Sequence, residues 1–321
     1  MRLAVALLFG AFLVLWLAPA VLVAGVRHRM EPRAALAAWL VLVVSTFVTL
    51  VAAVVTSLVP GHGPARQVVR ALQHCWLAVS GGEMPPVEAL VGLTGATLLA
   101  VTSARVLHAG TCRIRTQRDV HRRHVDVLRG IARVEPGRFP LLWLEHPQPV
   151  AYSIAGGSSP RSVIIASRGL VDRLPARDVA AVLDHERAHL RGRHHLLVGL
   201  AEALATAMPW LPLMRTSPAL IRTLVELAAD RAAVRVHGPA PVRAALLAMT
   251  GGETPRGSLA MGGDDVSVRL RWLEAESAPG RMRAAAAATL AGLSAAVVPA
   301  AIGGGLLAAA GLVTCITTAL G

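Results

Sequence analysis

Four stretches of this chain carry no charged side chain: Leu3–Val26, Ala34–Pro60, Ala89–Ala104 and Ala284–Gly321. A helix of about 20 apolar residues crosses the hydrocarbon of a bilayer, and a chain with several such runs has few other places to bury them. The third run is short, but Arg105 at its end can extend it by snorkelling. A mean hydropathy of +0.56 is too apolar for an ordinary soluble domain. The expectation is a mainly α membrane protein with four transmembrane helices. The first run also has the parts of a cleaved signal peptide, with Arg2 as basic start and Ala18-Pro19-Ala20 as cleavage site. Its length, and the second run close behind it, favour a retained span.

Charge placement orients these runs. The net charge is +13, and all 32 basic residues are arginine. Such an excess suits nucleic-acid binding or cytoplasmic loops, and its distribution favours the second. Arg27, Arg29 and Arg33 follow the first run, and Arg105, Arg113, Arg115, Arg118, Arg122 and Arg123 follow the third. Between the second and third, Arg66 and Arg70 balance Glu83 and Glu88. The positive-inside rule then puts the N-terminus outside and everything after the third run in the cytoplasm. This implies three spans in residues 1–108, a cytoplasmic domain in 109–282 and a last span in 283–321, in a multi-pass protein of the cell membrane with no direct nucleic-acid partner. Cys75, Cys112 and Cys315 are far apart and form neither a disulfide framework nor a thiolate metal site.

The cytoplasmic segment is long enough for a core of its own and reads as α+β. A polar helical stretch runs to about Arg133, where Pro136, Gly137 and Pro140 break it. LLWLEH, VAYSIAG and SVIIAS read as short strands divided by Pro and Gly. Pro175 then opens a helix containing AAVLDHERAHLR, free of Pro and Gly from Ala176 to Arg191.

That helix carries H-e-x-x-H as His185, Glu186 and His189. Residues four apart share a helix face, so both imidazoles can hold one ion while Glu186 reaches its open side. Two His ligands, a carboxylate base and a water are the parts of a zinc peptidase. Downstream, LVELAADRAAV places Glu226 and Asp230 one turn apart on a second helix. Glu226 would complete a two-His, one-Glu zinc site, and Asp230 could accept the spare ring N–H of a ligating His. The alternative is a solvated polar face paired with Arg222 and Arg231, but Glu226 sits among Leu224, Val225, Leu227 and Ala228, where a carboxylate needs a partner.

Residues 196–214 are nearly apolar enough to cross a membrane. A single crossing would strand Glu226 on the side opposite His185, so the segment either does not span or enters and returns. Pro209-Trp210-Leu211-Pro212 is the expected tip of a helical hairpin, and Glu202 within it favours a core or interfacial hairpin over a membrane-inserted one.

Together these residues resemble the BlaR/MecR-type membrane metallopeptidases, relatives of the HtpX-like gluzincins. The resemblance rests on AYSIAG, SVIIASRGLVDRL, LDHERAH, ELAAD and, more weakly, VRLRWL. It implies zinc at His185, His189 and Glu226, Glu186 as base and Asp230 as the group orienting a ligand. It also implies that VAYSIAG is an edge strand beside the zinc, where a peptide could add as a further strand. The expected partners are the lipid membrane, a protein or peptide substrate and, by analogy with the family, a transcriptional repressor. The family's β-lactam receptors carry an extracellular sensor after the last span. This sequence has no room for one before Gly321 and no Ser-x-x-Lys acylation site of that kind, so the β-lactam stimulus does not carry over.

A peptidase also needs a donor for the oxyanion, and Tyr152, the one tyrosine, is the candidate. His194 and His195 lie five and six residues past His189 and are expected to face solvent. The competing reading is a membrane transducer that keeps the fold and the metal without catalysis; the intact Glu186 counts against it. A transporter would need charged or broken helices within several spans and leaves the motif unexplained.

Overall fold

The structure is a computed structural model that describes residues 2–27, 30–58, 87–156, 162–249 and 263–276. Three long helices come first: α1 (Arg2–Arg27), α2 (Pro32–Leu58) and α3 (Val87–Ile131). Four short strands follow: β1 (Arg133–Glu135), β2 (Leu141–Leu144), β3 (Ala151–Ile154) and β4 (Val163–Ser167). The remaining helices are α4 (Arg168–Arg173), α5 (Ala176–Arg191), α6 (His194–Ala207), α7 (Pro212–His237), α8 (Pro239–Met249) and α9 (Gly263–Glu276).

The strands form one sheet in the order β1-β2-β4-β3, with β2 parallel to β4 and the other pairs antiparallel. Alternation along the strands divides two cores. Leu141, Ile164 and Ala166 pack against Val179, Val182 and Leu183 of α5. Leu142, Ile154, Val163 and Ile165 pack against Val125 and Leu128 of α3. Because β4 is covered on both faces, its first four residues, VIIA, are apolar and all five are buried. The strand β3 lies at the edge of the sheet, beside α5. At Gly169 a β-carbon would lie 2.1 Å from the carbonyl oxygen of Pro147. Only glycine allows the start of α4 to approach the β2–β3 connection this closely.

The expected hairpin is present: α6 and α7 are joined by a reversal at 208–211. It is packed rather than free. Val198, Ala201, Leu204, Ile221 and Leu224 share a core with Leu15, Leu22, Leu36 and Trp39 of α1 and α2. The fully buried Trp39 donates its indole N–H to Ser217 Oγ at 2.7 Å. Glu202 on α6 is bridged by Arg113 of α3 and Arg222 of α7.

The molecule is mainly helical. Among the described residues one helix segment, Pro32–Val51, is long and apolar enough to cross a membrane, and Leu15–Arg27 is a shorter apolar helix. The third apolar run is not a separate helix ending before the polar stretch. It continues through Arg105 to Ile131 as one helix of 45 residues, with no Pro in it to break the backbone. The fourth run, Ala284–Gly321, lies outside the described residues.

Candidate metal centre and active site

The helix α5 buries one face against the sheet and the other against α7, so its polar motif is enclosed: His185, Glu186 and His189 are all buried. Glu226 and Asp230 are equally buried on the facing side of α7. Three ligand atoms converge between the helices. His185 Nε2 lies 3.1 Å from His189 Nε2. Each of the two lies 3.4 Å from an oxygen of Glu226. Bonds of about 2.0–2.2 Å in a tetrahedron put neighbouring ligand atoms roughly 3.3–3.6 Å apart, so the donor set fits zinc in type, and in spacing to within about 0.2 Å.

The far side of each imidazole is also held. His185 Nδ1 lies 2.9 Å from Asp230 Oδ1. A ring that donates there presents a bare Nε2 to the ion. His189 Nδ1 lies 2.9 Å from Nδ1 of His194, which is buried. Burial holds His194 down to about 3, so the ring is neutral and its Nδ1 can accept the proton of His189. The expectation that His194 faces solvent is thereby corrected. The helix stops at Gly192, Arg193 takes a left-handed φ of 50°, and the chain turns His194 back inward. A β-carbon at residue 192 would lie 2.3 Å from the His194 ring, so glycine leaves the space for that ring.

The helix α9 contributes a residue that the motif spacing does not reveal. Arg269 is 2% exposed and grips Asp230 with two hydrogen bonds of 2.6 Å, from Nε to Oδ2 and from Nη2 to Oδ1. Its Nη1 lies 3.1 Å from Glu226 Oε2. One guanidinium thus compensates two buried carboxylates, which would otherwise be costly to ionise.

The electrostatics follow from this packing. Burial opposes charge on His185, but the Asp230 and Glu226 carboxylates outweigh it and push it up to about 10 in the metal-free site. Burial holds His189 down to about 4. Burial would raise Glu226, but His189, His185 and Arg269 outweigh it and pull it to about 2. Burial raises Glu186 above the ordinary carboxylate range, outweighing the opposing pull of His185, Ser153 and Arg269. Ser153, on β3, is the strand residue whose side chain acts on it.

Tyr152 lies elsewhere. Its ring packs with the α3 core, and its hydroxyl is bonded to His124 Nε2 at 2.9 Å. Successive strand residues face opposite sides of a sheet, so the residue beside Glu186 is Ser153, and Tyr152 is turned away. The expectation of Tyr152 as oxyanion donor is corrected accordingly. His195 is partly buried and is not one of the three clustered ligand groups.

Residues 115–224 match the model of peptidase family M48. The match supports a metallopeptidase of the zincin type, in a family whose members typically depend on zinc. It covers about a third of the chain and includes both histidine ligands, but stops short of Glu226, Asp230 and Arg269. The assignment of those three residues therefore rests on geometry. No solved structure matches the chain.

Proposed function

We propose that this protein is a membrane-embedded zinc endopeptidase, with His185, His189 and Glu226 as ligands and Glu186 as general base. The observation that carries this reading is the spacing of two imidazole nitrogens and one carboxylate, 3.1–3.4 Å apart, with Glu186 on the same helix beside them. Zinc supplies Lewis acidity to such a site. Glu186, raised by burial, takes a proton from the attacking water and delivers it to the leaving amide nitrogen. Asp230 and His194 fix the tautomers of the two histidines, and Arg269 fixes Asp230. The strand β3, at the end of the sheet and next to α5, offers an edge unpaired among the described residues, along which an extended peptide can lie.

Exposed Trp16, Val21, Val41, Phe47, Leu98 and Val101 on α1, α2 and α3 support placement in a bilayer. The arginine distribution supports a cytoplasmic catalytic domain acting on cytoplasmic or membrane-proximal proteins, with regulatory cleavage such as that of a repressor as one role. Glu186→Gln tests catalysis in the full chain purified in detergent. Cleavage of an unfolded protein substrate should fall by roughly 10²–10⁴ while bound zinc is unchanged. Wild-type cleavage by the zinc-loaded variant would sink the peptidase reading.

A further inference from the structure

A recess of about 480 Å³ lies away from the metal centre, between α3 and α6. Its volume is within the range of roughly 300–1,000 Å³ usual for ligand sites. Val101, Ala104, Ala109 and Ala207 make its walls apolar, and Arg105 and His108 are its two basic groups. Among the described residues no carboxylate lines it.

Its position along α3 is informative. The helix is uncharged from Ala89 to Ala104 and arginine-rich from Arg105 onward. The recess straddles that change. Arg105 also stacks over the ring of Trp210 at 5.8 Å, and Trp210, at the tip of the α6–α7 hairpin, is 61% exposed. An exposed tryptophan beside an arginine, at the end of an apolar helix stretch, marks the headgroup level of a bilayer.

We infer that this recess binds an anionic phospholipid, with an acyl chain against Val101 and Ala104 and the phosphate between Arg105 and His108. The inference rests on the membrane placement proposed above. Charge complementarity selects the occupant: two basic groups in an apolar cleft need an anion with an apolar tail. The chain's own Ala284–Gly321 is apolar enough to fill the space but has no acidic side chain to meet them.

The test uses the full chain in phosphatidylcholine vesicles containing spin-labelled phosphatidylglycerol or spin-labelled phosphatidylcholine. The motionally restricted label should favour phosphatidylglycerol several-fold, less so at high salt. Arg105→Gln with His108→Gln should lower that preference about fivefold. Val101→Trp should lower it too, by filling the cleft without changing charge, and zinc content should be unaffected in both variants. A photo-crosslinker at Val101 should capture phospholipid. Equal restriction of the two lipids, or capture of a peptide from residues 284–321, would overturn the lipid site while leaving the membrane placement intact. Restriction of neither lipid would overturn both.

Discussion

Nδ1 of His194 lies 2.9 Å from Nδ1 of His189, the second histidine of the motif. This is the counterpart of the Asp230 contact to His185, with a neutral ring in place of a carboxylate. Partners of this kind set ligand orientation and are worth about 10- to 100-fold in metal affinity. His194→Ala should therefore weaken zinc binding by that factor in a competition titration with a chelating dye, with the helical content retained. Unchanged affinity would remove His194 from the site.

The buried histidines give the metal-free protein a particular response to pH. His189 and His194 are held to about 4 and about 3, below their ordinary value of 6.5. The unfolded chain takes up those protons first, so stability falls as pH drops from 6.5 toward 4 and 3. His185 is raised to about 10. Its contribution is complete below 6.5 and is lost as pH rises toward 10. Thermal unfolding of the metal-free protein should accordingly show a maximum near pH 6.5. His194→Ala should flatten the acid side alone.

Arg269 is the sole cation gripping Asp230 through two short bonds among the described residues, and it also faces Glu226. Arg269→Met removes the guanidinium from two buried carboxylates, leaving them their histidine contacts alone, and should cost about 3–5 kcal/mol. Arg269→Lys should recover only part, because an ammonium cannot match the fork. Differential scanning of the detergent-purified variants reads this directly; equal midpoints for wild type and Arg269→Met would show that the ion pair is not structural.

The parts of this site that were legible in the sequence are those that helical spacing controls. His185 and His189 share a face because they are four apart on an unbroken helix, and Glu226 and Asp230 do so for the same reason. His194 was hidden because Arg193 leaves the helix with φ of 50°, after which counting along a helix places nothing correctly. Arg269 lies in the VRLRWL segment of the resemblance, but that pattern assigns it no role, because its approach to Asp230 is a tertiary event 39 residues away in sequence. Alternation in AYSI shows that Tyr152 and Ser153 face opposite ways, but not which of them meets α5. The α+β character of the domain was legible from the short strands around Pro and Gly. The continuity of α3 was not, because its change from apolar to charged resembles a domain boundary while its backbone has no break.

The proposed zinc site holds one ion between two imidazoles and one carboxylate from α5 and α7. The direct measurement is zinc content and X-ray absorption of the full chain purified in detergent, beside His185→Ala and Glu226→Ala. The account predicts about one zinc per chain, with two nitrogen ligands from histidine and oxygen completing a four-coordinate shell. Each variant should lose the metal at chelator concentrations that the wild type withstands. Zinc retained with undiminished affinity by Glu226→Ala, in the same ligand shell as wild type, would contradict it.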